Sequence, residues 1–166
     1  MQAIFNRRSI RKYTDKKVPE EMIEQILRAG MAAPSAGNSQ PWHFIVVDDR
    51  NILNEITKVH PYSKMLNEAS HAIIVCGDRS LQKYEGYWVQ DCSAAMENML
   101  IMAQDIGLGA VWLGVYPNEE RVKAISGIFG LPENVTPLSI MSLGYPAETK
   151  EPADRFNPSR VHRNRW

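Results

Sequence analysis

The chain has 166 residues, of which 44% are hydrophobic and 23% are charged, a composition typical of a folded globular protein. Its 19 basic residues balance its 19 acidic residues, which argues against nucleic-acid binding through bulk charge. No apolar run approaches the roughly 20 residues needed to cross a bilayer, and no apolar segment typical of a signal peptide follows the basic N-terminal residues. We therefore expect a cytoplasmic protein with a single domain over residues 1–166 and no membrane partner.

The N-terminal part of the sequence predicts a short helical turn over residues 1–6, followed by a basic segment. This segment reads Arg7, Arg8, Ser9, Ile10, Arg11 and contains no acidic residue. A basic run is more often a solvated face than a binding site. Arginine also presents a planar fork that suits phosphate, and from these residues alone both interpretations stay open.

A loop of unusual composition follows the first long helix, which the apolar spacing predicts from residue 19 to residue 31. Residues 33–42 contain two prolines, one glycine and several short polar side chains, and none of the ten is charged. Serine, asparagine and glutamine offer donors and acceptors that can face a polar, planar ligand. The composition fits a rigid turn and a ligand-binding loop about equally well.

The remaining elements alternate along the chain. The patterns predict strands over 43–47, 71–76, 110–115 and 136–143, and helices over 50–59, 87–106 and 118–130. The helix over 87–106 is apolar on several faces, which predicts burial on several sides and contact with a partner subunit. Strand and helix alternation by itself favours a parallel α/β sheet. Residues 147–166 lack periodicity and predict an extended C-terminal arm.

The sequence lacks the usual catalytic motifs. Cys76 and Cys92 lie among apolar residues and are interpreted as small buried side chains. The four histidines lack metal-ligand spacing and are interpreted as hydrogen-bonding partners, and no nucleophile elbow or phosphate-binding loop occurs. The glycines at 107 and 109 begin like a dinucleotide fingerprint, but they precede a strand instead of following one. Such a chain suits a protein whose cofactor carries the reaction.

Four motifs in order resemble the FMN-dependent nitroreductase family: Arg7 to Arg11, Pro34 to Trp42, Gly107 to Gly109, and Gly144 to Pro146. The resemblance spans nearly the whole chain. It implies an α+β fold with a mixed central β-sheet flanked by helices. It also implies a homodimer that binds FMN at the subunit interface, where each flavin contacts both chains.

The resemblance implies specific contacts with FMN. One subunit would hold the phosphate and the polar rim of the flavin with Arg7, Arg8, Ser9 and Arg11. The other subunit would present the uncharged loop through Pro34, Ser35, Ala36, Asn38 and Gln40. The strand residues Trp112, Leu113 and Gly114 would lie along the ring near N5, and the late arginine Arg155 would approach the phosphate. Arg160 is an alternative to Arg155, and Lys64 is a further candidate.

The activity implied is a ping-pong oxidoreductase without a catalytic side chain. NADH or NADPH would pass a hydride to flavin N5, and a nitroaromatic, quinone or similar planar acceptor would then be reduced. A flavin-storage or sensor protein, and a dehalogenating or flavin-fragmenting member of the same family, are alternatives. The chain is short for the family and lacks its long insertions, so an open substrate pocket is expected.

Overall fold

A computed structural model describes residues 2–166, so the predicted first turn is described without Met1. The helices and strands lie close to their predicted positions. The helices are α1 Gln2–Asn6, α2 Glu20–Met31, α3 Arg50–Val59, α4 Trp88–Asp105 and α5 Glu119–Phe129. The strands are β1 Trp42–Val47, β2 His71–Asp78, β3 Gly109–Gly114 and β4 Val135–Gly144. Short 3₁₀ turns cover Ala36–Asn38, Lys64–Asn67 and Pro158–Arg160.

The four strands form one sheet in the order β1-β2-β4-β3, and all three pairings are antiparallel. A parallel bridge between Ser9 and Ala110 adds the basic segment beside β3. The α+β class is therefore confirmed, whereas the parallel α/β sheet favoured by strand and helix alternation is wrong. The β1–β2 connection contains α3 and a further 3₁₀ turn, although antiparallel neighbours can be joined by a connection as short as a hairpin.

Helices cover both faces of the sheet. Alternate side chains of β2 point to opposite faces, so Ile73 and Val75 join the core under α2 and α4. Ile74 and Cys76 join the second core, under α3 and α5. Helix α4 is buried along much of its length, as its apolar pattern predicts, and Met96 is among its fully buried side chains.

Strand β1 is less buried than predicted. The apolar run over 43–47 predicts a buried strand, but His43 and Val46 are exposed and the ends of the strand are buried. β1 has a single neighbouring strand because it lies at the edge of the sheet. An apolar run does not distinguish an edge strand from a central one.

Strand β4 is irregular on both sides near Pro137, and β3 ends beside this irregularity. Pro137 lacks an N–H group, and the β2–β4 register shifts between Val75 and Cys76 where the proline pairs. On the opposite side of β4, the Leu138 carbonyl accepts hydrogen bonds from the amides of both Val115 and Tyr116, at 3.1 and 3.0 Å. The chain therefore leaves the sheet directly after Gly114.

The C-terminal residues return to the basic segment. Lys150 Nζ donates to the Ser9 carbonyl at 2.6 Å, and Arg8 Nε donates to the Glu151 carbonyl at 2.9 Å. Residues 151–166 are exposed, and a 3₁₀ turn over Pro158–Arg160 is their regular structure.

No helix within residues 2–166 has the length and apolar character that a bilayer crossing requires.

The two cysteines are free and fully buried, which confirms their interpretation as core residues. Cys92 Sγ lies 3.6 Å from the Cys76 carbonyl oxygen, to which it donates. Burial raises the pKa of each thiol to about 12, and the Asp91 carboxylate adds to the shift at Cys92. Both residues are therefore protonated and unreactive at neutral pH.

Candidate functional site

A cavity of about 500 Å³ lies at the end of β3, and we call it the β3 cavity. Its volume falls within the range of roughly 300–1,000 Å³ typical of small-molecule sites. The structure thus brings together several residues that the sequence analysis proposed separately. Six residues that line the β3 cavity are Arg11, His60, Lys64, Trp112, Leu113 and Gly114.

Gly114 leaves the backbone at the β3 cavity accessible. The residue is exposed, and a β-carbon at this position would meet no atom within 4 Å. A glycine at a strand end permits a ligand to approach the main chain closely. The two cationic side chains Arg11 and Lys64 line the same space, so the cavity suits a planar ligand with electronegative edges.

Two side chains bind the carbonyl oxygen of Gly114. His60 Nε2 lies 2.9 Å from this oxygen, and Arg121 Nη1 donates to it at 3.1 Å. His60 is 1% exposed, and its Nδ1 accepts the backbone N–H of Tyr62 at 3.3 Å. The interpretation of His60 as a hydrogen-bonding partner is confirmed. Sequence analysis missed Arg121, because on a helix pattern it has no feature that separates it from a solvated arginine.

A second cavity, of about 510 Å³, lies beside the N-terminal arginines. We call it the arginine cavity, since Arg7, Arg8 and Arg155 line it together with Phe5 and Phe156. Arg155 therefore lies with the basic segment, as the resemblance implies. Arg160 is exposed in the 3₁₀ turn of the C-terminal residues and is absent from the residues that line this cavity.

Arg8 has a hydrogen-bond donor without an acceptor. Its Nε donates to the Glu151 carbonyl and its Nη1 to the Arg7 carbonyl, whereas its buried Nη2 has no partner within residues 2–166. A buried donor without an acceptor is costly, and a charged one more so. Arg7 is half-buried and makes an ion pair with Glu97 at 3.3 Å. Three arginines, Arg7, Arg8 and Arg155, and one aspartate, Asp154, line the arginine cavity, so its positive excess fits an anionic group such as a phosphate.

The basic segment joins the two cavities. Ser9 pairs with Ala110 of β3, and the backbone N–H of Arg11 donates to Glu148 Oε1 at 2.5 Å. This hydrogen bond, followed by the bond to Lys150, lowers the pKa of the Glu148 carboxyl. Arg7 and Arg8 line the arginine cavity, and Arg11 lines the β3 cavity.

The uncharged loop is held in shape by its own hydrogen bonds. Gly37, Asn38 and Gln40 have positive φ angles of 59°, 54° and 47°. Glutamine rarely adopts this conformation. Here the Gln40 backbone N–H donates to Ser35 Oγ at 3.0 Å, and its side-chain amide donates to Asn38 Oδ1 at 2.8 Å.

Asp91 of helix α4 anchors this loop. The carboxylate accepts hydrogen bonds from the Ala36 backbone N–H at 2.8 Å and from the Ser39 hydroxyl at 3.3 Å, and Asp91 is 5% exposed. Sequence analysis missed Asp91, although an acidic residue near the start of an apolar helix was an available signal. The aspartate lies in the first helical turn, where the helix dipole favours negative charge.

The loop lies outside both cavities within one chain. None of its proposed contact residues is among those that line either cavity. Those residues are Pro34, Ser35, Ala36, Asn38 and Gln40. A single chain therefore unites the basic segment with β3, but it does not unite either of them with the loop. Within residues 2–166, no group of three or more His, Cys, Asp or Glu side chains is placed to hold a metal ion.

The sequence and the fold are similar to those of known proteins. A sequence model of the Nitroreductase family matches residues 4–73 and 55–145. A relative from Methanothermobacter thermautotrophicus, provisionally named NADH dehydrogenase/NAD(P)H nitroreductase, is 54% identical over the whole chain and 87% of its own length.

Two solved structures have the same fold. The FMN-dependent nitroreductase of Clostridium difficile is 30% identical, with a TM-score of 0.92 and 100% of both chains covered. A provisionally named nitroreductase of Desulfovibrio desulfuricans, solved in complex with FMN, is 31% identical, with a TM-score of 0.86, over 99% of this chain and 96% of the other. The chain belongs to the nitroreductase family, a family of oxidoreductases, and the resemblance stated from its motifs is confirmed.

Proposed function

We propose that this protein is an FMN-dependent oxidoreductase that takes electrons from NADH or NADPH and reduces nitroaromatic, quinone or similar planar acceptors. The observation that carries the proposal is the path of the basic segment, which runs from the arginine cavity to the β3 cavity within five residues. Four residue steps span at most about 13 Å. One ligand with a phosphate at one end and a planar ring at the other suits this arrangement.

The residues fit FMN at both ends. Arg7, Arg8, Ser9 and Arg155 would hold the phosphate, and the unpartnered Nη2 of Arg8 would become a donor to it. Arg11, and Lys64 as a further candidate, would contact the polar edge of the ring. Trp112, Leu113 and Gly114 would lie along the ring through the accessible backbone at Gly114.

The bound flavin would supply the hydride chemistry, and the protein would bind, orient and polarise. The cations of the β3 cavity would stabilise negative charge by preorganised electrostatics. No thiol of the chain is suited to nucleophilic catalysis, because burial raises the pKa of both cysteines to about 12. The donor and the acceptor would use the same open site in turn, which is ping-pong order.

The proposal includes a homodimer in which the loop residues Pro34, Ser35, Ala36, Asn38 and Gln40 reach the FMN of the other subunit. The position of the loop outside the cavities of its own chain supports this arrangement. An unfilled apolar cavity of about 450 Å³ between α1, α2 and α4 supports it as well, since Ile4 at its rim is 53% exposed. Burial of such a surface favours association.

An absorbance spectrum of the purified protein, loaded with FMN and then mixed with NADH or NADPH without oxygen, tests the proposal. We expect flavin bands that bleach and that return when a quinone is added. Flavin bands that persist with both donors would indicate a storage or sensor protein instead of an enzyme. Absence of FMN binding would overturn the proposal, and a monomer that binds FMN would overturn its dimeric part.

A further inference from the structure

The carbonyl oxygen of Gly114 has more hydrogen bonds than its position at a strand end requires. A carbonyl oxygen has two lone pairs, and here His60 and Arg121 each provide a donor, at 2.9 and 3.1 Å. These donors come from two segments far apart in sequence, the end of α3 and the start of α5. Their convergence on one oxygen fixes the orientation of the peptide group that follows Gly114.

The hydrogen bonds of His60 determine its tautomer. Nδ1 accepts the backbone N–H of Tyr62, so Nδ1 carries no proton and Nε2 donates to Gly114. The neutral Nε2–H tautomer is the form that satisfies both contacts.

Arg121 is held in place by its own contacts. Its backbone N–H donates to the N-cap side chain of Asn118 at 2.9 Å, and its guanidinium lies 5.2 Å from the centre of the Tyr62 ring. A cation over an aromatic face is stabilised by the ring quadrupole. Tyr62 thus connects the two donors, because its backbone binds His60 and its ring packs against Arg121.

We propose that His60 and Arg121 are positioning residues that hold the end of β3 in the conformation that binds FMN. The inference rests on the proposed function, since it names residues that support the same site. Fixing the Gly114 peptide before the ligand arrives lowers the entropy cost of binding. The two hydrogen bonds also occupy both lone pairs of the Gly114 carbonyl oxygen, so this oxygen does not repel an electron-rich ring in the cavity.

The test measures the dissociation constant of FMN for the apoprotein by quenching of flavin fluorescence. The variants are His60→Phe, which removes both ring nitrogens, and His60→Gln, whose amide reaches the position of Nε2. We expect about a ten-fold weaker affinity for His60→Phe, the loss typical of a removed hydrogen bond, and near-wild-type affinity for His60→Gln. His71→Phe is the matched control, because His71 is also buried and bonds Ser70 but lies outside the β3 cavity.

Arg121→Leu provides an independent arm, with Lys123→Leu on the exposed face of the same helix as its control. We expect about a ten-fold loss for Arg121→Leu. The double variant His60→Phe/Arg121→Leu should lose more than the product of the single losses, because only then is the Gly114 carbonyl without a donor. The midpoint potential of bound FMN should fall in Arg121→Leu, since a nearby positive charge is removed.

The outcomes separate the two proposals. If the wild-type protein binds no FMN, the proposed function fails and this inference fails with it. If the wild type binds FMN and His60→Phe weakens it no more than His71→Phe does, the positioning role alone is wrong. Thermal unfolding of each apoprotein identifies a variant that does not fold. If His60→Phe does not fold, the comparison rests on His60→Gln and Arg121→Leu. Equal FMN affinity in Arg121→Leu and wild type would then overturn the positioning role.

Discussion

The two regions proposed to bind FMN, the basic segment and the uncharged loop, are stabilised in opposite ways. The basic segment has a cationic donor without an acceptor among residues 2–166, Arg8 Nη2, and an exposed arginine at position 11. The loop has few such groups, because Asp91, Ser35 and Asn38 accept hydrogen bonds from its backbone and side chains.

This difference predicts which substitutions change ligand affinity alone and which also change the stability of the protein. A segment with unpaired cationic donors gains its charge balance when an anion binds. A loop whose hydrogen bonds are already made has its shape before any ligand binds, because the entropy of ordering it is lost when the protein folds. Substitutions in the basic segment should therefore change ligand affinity, whereas substitutions that release the loop should also change stability.

The largest effect is expected for Arg8→Leu, which removes the guanidinium whose Nη2 has no acceptor within residues 2–166. A charge-assisted hydrogen bond contributes roughly 1.5–3 kcal/mol, so FMN affinity should fall about 10- to 100-fold. Arg7→Ala and Arg11→Ala should also weaken FMN binding, by a smaller factor. Stability of the Arg8→Leu apoprotein should change little, because the loss of a buried unsatisfied donor offsets the loss of the hydrogen bonds to the Glu151 and Arg7 carbonyls. Flavin fluorescence titration and thermal unfolding measure the two quantities.

Two controls sharpen that result. Arg28→Leu removes an exposed arginine that is paired with Glu24 on α2, and it should leave FMN affinity unchanged. Cys92→Ala should retain FMN and turnover, because the buried thiol has no role in the site. Wild-type affinity in Arg8→Leu would exclude the arginine cavity as the phosphate site.

A smaller effect is expected for Asp91→Leu, which removes the anchor of the loop. The Ala36 N–H would lose its acceptor, at a cost of about 1–3 kcal/mol in the free energy of unfolding. FMN affinity should fall with it, because the loop loses its preorganised shape. Asp91→Asn should be milder, since its amide oxygen can still accept the Ala36 N–H. Urea unfolding measures the first quantity, and an unchanged midpoint in Asp91→Leu would show that the loop holds its shape without the anchor.

The smallest effect is expected at Glu148, whose carboxylate joins the backbone of Arg11 to Lys150. The hydrogen bond from Arg11 lowers the pKa of this carboxyl below its ordinary value of 4.5. Its contribution to stability is therefore present above pH 4.5 and is lost as the pH falls through the lower pKa of the folded state.

The variant Glu148→Gln tests this pH dependence. The difference in free energy of unfolding between wild type and variant should be constant near neutral pH and should shrink below pH 4.5. Asp154→Asn, an exposed carboxylate of the C-terminal residues, is the comparison variant. A difference that grows as the pH falls would contradict the sign of the shift.

The chain's own sequence was sufficient for the positions of its elements and for its family. Helix α3 lies over the predicted residues, because Asp49 caps it and apolar residues recur at helical spacing. Helix α5 ends at Phe129, directly before Gly130, which has the left-handed conformation that glycine adopts without strain. The family followed from four short motifs in order, since glycine, proline and arginine at those points constrain the backbone and the charge directly.

The strand directions and the supports of the site depended on the tertiary structure. Alternation of strands and helices favours parallel strands, so the antiparallel pairing of this sheet was not predictable from it. His60, Asp91 and Arg121 act through groups 54, 55 and 7 residues away in the chain. Side-chain periodicity reports which face of an element is buried, whereas a hydrogen bond between distant segments depends on where the fold places both partners.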